Sequence, residues 1–136
     1  MIIIYDSNKN PVFTLSNFSR ISENSDEVNI KYHLNVDYNN IHFSKNFVDG
    51  IFYLKKLRDE LSALINEHLN ISHVAYRTIE NDFVLKIYKS QAFIVLRENE
   101  ELCNEVSLLI RCSINNNSIF SLIQDISLEL AKLCEN

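Results

Sequence analysis

The feature that most constrains the fold is an alternation in residues 27–40, EVNIKYHLNVDYNN. Val28, Ile30, Tyr32, Leu34, Val36 and Tyr38 fall on one parity; Asn29, Lys31, His33, Asn35 and Asp37 fall on the other. Successive strand side chains point to opposite faces of a sheet, so this segment is a strand with one buried face and one polar face. The period then changes. Phe47, Ile51, Leu54, Leu57, Leu61, Leu64, Ile65 and Leu69 recur every three or four residues, the stripe of a helix packed on a core. A chain that carries both periods in separate blocks is expected to be α+β.

The remaining segments extend that pattern. IIIY (2–5) and VFTLS (12–16) flank the turn formers DSNKNP and read as a hairpin; SENSD (22–26) reads as a polar loop. Asn39-Asn40 suits a left-handed turn, after which IHF (41–43) returns as a short strand. The helix is expected over 47–69, with Asn46 as cap, Asp49 in the first turn and Asn70 at the stop. HVAYRTI (73–79), FVLKIY (83–88), AFIVL (92–96) and NEVSLLIRCSI (104–114) are joined by connections short enough to force an antiparallel meander. A second helix follows at about 119–134, started by a capping box at Ser121-Leu122-Ile123-Gln124 or, alternatively, at Ser118. The expectation is one domain spanning 1–136, with an antiparallel sheet of about six to seven strands and two helices.

A faint repeat runs through the chain. EVNIKYHLNVDYNNIHF (27–43) aligns without gaps to EVSLLIRCSINNNSIFS (105–121), and Glu-Leu-x-x-Leu follows each, at 60–64 and at 129–133. Two readings compete. Strand–turn–helix units converge on such patterns, or two strand-strand-helix halves build one sheet with both helices on one face.

Composition narrows the function. With 136 residues beginning at Met1, the chain is expected to be a complete small protein, long enough to bury a substantial core. The opening MIIIYD lacks the features of a secretory leader, and no apolar run approaches the ~18 residues of a membrane span. Cys103, Cys112 and Cys134 are odd in number and widely spaced, which points to free thiols in a reducing, cytoplasmic setting and to no Cys-x-x-Cys zinc site. The net charge is −5 and the basic residues are scattered, which disfavours nucleic acid and suits a basic protein partner. One glycine, Gly50, is too few for a phosphate-cradling loop. The nucleophile elbow and the paired-histidine zinc helix are likewise unwritten. Neither cofactor nor metal is expected.

Reactive side chains do not assemble into a catalytic pattern. His33 and Asp37 share a strand face but stand ~13 Å apart at the usual rise, too far for an acid–base pair. His33, His42, His68 and His73 show no ligand spacing, and no serine sits in a nucleophile turn. The sharpest feature is acidic. In a meander the turn at 80–82 and the loop at 98–103 lie at the same end of the sheet, which would gather Glu80, Asp82, Glu98, Glu100 and Glu101, with Glu105 nearby. These carboxylates read either as solvated loop tips or as a docking patch for a basic surface; the spaced Asp/Gly pattern of a calcium loop is absent.

A short acidic chain, rich in Asn and Ile, with antiparallel strands and an ELxxL helix twice over, resembles the bacterial immunity proteins that accompany contact-dependent-inhibition and other polymorphic toxins. The resemblance spans the chain and rests on size, charge and the strand-strand-helix units at 27–69 and 105–134. The family shares no signature, so no residue role carries over. The resemblance implies a cytoplasmic, non-catalytic protein that binds one cognate toxin, often a basic nuclease, and blocks its active site. The alternatives are a type III secretion chaperone, which typically begins with a helix where this chain begins with strands, and a small enzyme without a sequence signature.

Overall fold

The computed structural model describes residues 1–21, 28–78, 82–99 and 105–134. Strands β1 (Ile2–Tyr5), β2 (Pro11–Ile21), β3 (Asn29–Tyr38) and β4 (Ile41–Gly50) form one antiparallel sheet, and α1 (Ile51–Leu64) follows it. Strands β5 (His73–Arg77), β6 (Phe83–Tyr88), β7 (Gln91–Asn99) and β8 (Glu105–Ser113) form a second, followed by α2 (Asn116–Cys134). In both sheets spatial order equals chain order. The α+β class, the two helices, the hairpin and the meander agree with expectation. Among the described residues the expected single sheet of six to seven strands is instead eight strands in two sheets of four.

Local chemistry sets the turns of the first sheet. Asn39 and Asn40 have φ of 50° and 65°, the paired left-handed geometry of a two-residue hairpin, and Tyr38 pairs directly with Ile41. Asn17, at φ 57°, sits where the β2–β3 register slips between Ser16 and Ser19, which is a β-bulge. Asp6 organises the β1–β2 turn by accepting from the Asn8 and Asn10 amides, each at 2.9 Å.

The boundary of the first helix departs from expectation. Residues 41–50 are all strand, so Asn46 caps nothing and Asp49 lies in no helical turn. Phe47 and Ile51 are four apart, a spacing compatible with the face of a strand and with the face of a helix. The alternation that would have marked the strand is interrupted because Lys45 and Asp49 occupy inward positions, where they pair with Asp82 and Tyr76. The helix begins after Gly50 with no side-chain cap; the Val28 carbonyl accepts the Ile51 amide at 2.9 Å instead. It ends at Leu64, before the expected Asn70. Asn66 draws the His68 amide onto its side chain at 3.0 Å, a local bond that competes with continued helix, and Leu69 is left exposed.

The inner faces of the two sheets meet in one hydrophobic core. Phe83 of the second sheet touches Phe13 and Phe47 of the first, with ring centroids 6.1 and 5.8 Å apart. Leu54, Leu57, Leu61 and Leu64 of α1 and Leu122, Ile126, Leu130 and Leu133 of α2 close the core, and the two helices pack on each other.

The second helix starts earlier than either expected serine. Asn115 Oδ1 accepts from the Ser118 amide at 3.0 Å, while Ser118 Oγ accepts from the Asn115 amide at 3.4 Å. This is the reciprocity of a capping box with serine in the third position. Helix α2 also covers the free edge of β1: Asp125 accepts the Ile3 amide at 3.1 Å, and Glu129 pairs with the amino group of Met1. The internal repeat is therefore a four-strand-plus-helix unit used twice, not the strand-strand-helix unit aligned above. That alignment set β3 against β8. Its asparagine runs do different work: Asn39-Asn40 turns a hairpin, and Asn115, opposite Asp37 in that alignment, caps a helix.

Candidate functional site

The strand order of the second sheet bears on the acidic loops through described backbone. The Arg97 amide donates to the Asp82 carbonyl at 2.8 Å, so the β5–β6 connection lies against the end of β7 from which the β7–β8 connection departs. Glu80, Glu100 and Glu101 lie outside the described residues, and the side chains of Glu98 and Glu105 likewise.

Asp82 is the described member of the set, and its environment does not fit a solvent-facing contact. It is 5% exposed. Its carboxylate accepts from Thr78 Oγ1 at 2.6 Å and from Lys45 Nζ at 2.8 Å, the latter reaching across from the first sheet. Asp82 is a tie between sheets, and the exposed-patch expectation is corrected for this residue. Burial alone would raise its pKa, but the Lys45 and Thr78 bonds outweigh burial and hold the carboxyl below its ordinary range. A carboxyl depressed by folding contributes stability above its unfolded value of about 4, and that contribution is lost as pH falls through the folded value. Lys45 is 39% exposed, which discounts the pair. Asp82→Asn is expected to lower stability by ~1–2 kcal/mol at pH 7 and by progressively less below about pH 4, read by urea unfolding. An equal loss at both pH values would contradict the assignment.

The other buried polar groups are engaged internally as well. Asp6 accepts from Tyr38 Oη at 2.9 Å as well as from its own turn. Burial would raise the Asp6 carboxyl, and these bonds more than reverse that; the Tyr38 hydroxyl is pushed up to about 12 by burial and by Asp6. Between the sheets Tyr76 Oη donates to Asp49 at 3.0 Å and lies 3.0 Å from Tyr32 Oη. Burial raises both tyrosines and Asp49. The Asp6 set ties the first sheet to its own turn and the Tyr76 set joins the two sheets, and no buried side-chain polar atom among the described residues lacks a partner.

The polar row of β3 lies on the outward face of the first sheet. His33 bridges Asn46 Oδ1 at 2.8 Å and Ser44 Oγ at 2.6 Å. Asp37 pairs with His42 at 3.0 Å across the hairpin rather than with His33. This face is a solvent-facing net of cross-strand pairs. A groove of about 280 Å³ between α1 and β5 is lined by Tyr53, Lys56, Leu57, Glu60 and Arg77. Cys112 is buried, which pushes its thiol up to about 11, and Cys134 is exposed. Among the described residues no three His, Cys, Asp or Glu side chains gather as a metal site, and no helix is long and apolar enough to cross a membrane.

No protein-family model matches the chain, and no curated protein matches it by sequence. Among solved structures the chain is similar to the plant transcriptional regulator PBF-2, with a TM-score of 0.45 and 10% identity over 89% of this chain and 74% of that one. At that distance the likeness carries no argument about fold or function.

Proposed function

We propose that the protein is a toxin-neutralising protein of the immunity type, which binds one cognate toxin domain and blocks it without chemistry of its own. The observation that carries the reading is the 2.8 Å backbone bond between Arg97 and Asp82, which brings the two acid-rich connections of the second sheet to one end. Those connections contain Glu80, Glu100 and Glu101, with Glu98 in the last turn-proximal residues of β7 and Glu105 opening β8, in a chain of net charge −5. Carboxylates presented together steer a cationic partner and raise its association rate. The internal engagement of Asp6, Asp49, Asp82 and Tyr76 further supports a binding role, since their polar atoms are occupied within the fold.

Glu98→Lys/Glu100→Lys/Glu101→Lys is expected to slow association with the toxin that co-purifies with the protein by ~10-fold or more and to flatten its salt dependence. Stopped-flow binding between low and high salt reads both quantities. Association at the wild-type rate with an unchanged salt slope would remove the acidic loops from the interface.

A further inference from the structure

The described side chains on the outward face of the β5–β8 sheet carry a charge opposite to that of the chain. Its strands register so that Ala75, Lys86, Phe93 and Arg111 form one row across all four, and Arg77, Val84, Val95 and Leu109 form the next. Ring contacts cross the sheet as a ladder. His73 stacks on Tyr88 at 5.1 Å, Tyr88 meets Phe93 edge-on at 5.7 Å, and the Arg111 guanidinium lies 5.7 Å from the Phe93 centroid. Arg77 and Arg111 are exposed, Lys86 is half-buried, and Leu109 is 61% exposed at the margin. Among the described side chains this face holds no carboxylate, in a chain of net charge −5.

We propose that this face docks an acidic protein surface on the partner, with Lys86 and Arg111 meeting its carboxylates and Leu109 entering an apolar recess. The inference rests on the partner-binding reading above and adds a second contact area with its chemistry. Arginine and aromatic rings are the side chains enriched at the centres of protein interfaces, because they bury large area with little loss of freedom. Tyr88 is covered by the stacked His73 ring and Phe93 by the Arg111 guanidinium, so these rings are less open to stacked bases than a nucleic-acid platform requires. Four strands ~4.8 Å apart and three to four rows ~6.6 Å apart span roughly 400 Å², about half of what one partner gives to a standard interface. The partner therefore extends past the rim of the sheet and presents acidic groups to the face.

Isothermal titration of the full chain with the purified product of the neighbouring gene tests the assignment. Lys86→Glu/Arg111→Glu is expected to weaken binding at least ~30-fold, since like charges across an interface are strongly repulsive, and Lys86→Gln/Arg111→Gln to weaken it less. Lys31→Glu, on the outward face of the other sheet, is expected to stay within about twofold. Urea midpoints near wild type confirm that these surface variants fold. Wild-type binding with both double variants within about twofold overturns this inference and leaves the immunity reading standing. No binding by the wild type overturns both. Binding of a fluorescein-labelled oligodeoxythymidine, lost in Lys86→Glu/Arg111→Glu, reassigns the face to nucleic acid and also overturns it.

Discussion

Phe83→Ala is expected to destabilise the protein by about 3–5 kcal/mol, the cost of emptying a large aromatic site in a packed core. Phe83 is fully buried and is the ring on which Phe13, Phe47 and Tyr76 converge, at centroid distances of 6.1, 5.8 and 6.1 Å. Two of those rings belong to the opposite sheet, so the cavity would open at the junction of the layers rather than within one of them. A single domain is typically stable by only ~5–15 kcal/mol, so the loss is a large part of the whole. Phe83→Leu keeps most of the volume and is expected to cost under half as much. Equilibrium unfolding in urea measures both. A Phe83→Ala loss below about 1 kcal/mol would mean that the sheets do not depend on this junction.

The second large effect concerns the hydrogen-bonded set Tyr32–Tyr76–Asp49. Tyr76→Phe removes the hydroxyl that donates to Asp49 and faces Tyr32, leaving two buried polar groups short of a partner, at a cost of ~2–4 kcal/mol. Its pH signature is distinctive. Burial raises the Asp49 carboxyl in the folded state, with the Tyr76 and Gly50 bonds only partly offsetting it. The folded protein then holds this proton more tightly than the unfolded chain does. Stability from this group falls as pH rises from the unfolded value of about 4 through the raised folded value, and stays lower above it. Asp49→Asn cannot ionise, so relative to wild type it is expected to gain across that window. Asp82 has the opposite sign. Urea midpoints of Asp49→Asn and wild type from pH 3 to pH 8 check this. A constant difference across the range would contradict the raised carboxyl.

Much of the architecture was legible in local pattern. The alternation at 28–38 gave β3 with its buried face, the bounds of β6 at 83–88 agree with the structure, and Asn39-Asn40 takes the expected left-handed turn. What was hidden depended on long-range pairing. Lys45 and Asp49 make the inward face of β4 look polar until Asp82 and Tyr76 are brought against them from the other sheet. The same partnership removed Asp82 from the acidic patch, since a loop aspartate reads as exposed until its lysine, 37 residues earlier, is known. The division into two sheets was not written in any single strand, because each inward face is apolar whichever layer it covers. The cationic face of the second sheet was hidden for a related reason. Lys86, Arg111 and Arg77 lie on three different strands, and the register brings them to one face in two adjacent rows.

The central claim is that this domain acts by occupying a toxin. Co-expression with the product of the neighbouring gene, followed by purification, light scattering and a growth assay for toxicity, tests it most directly. The account predicts a stable complex of defined stoichiometry, restored growth, and a toxin inactive in vitro until released. A toxin that stays active at saturating concentrations of the purified protein, with no complex formed, would contradict it.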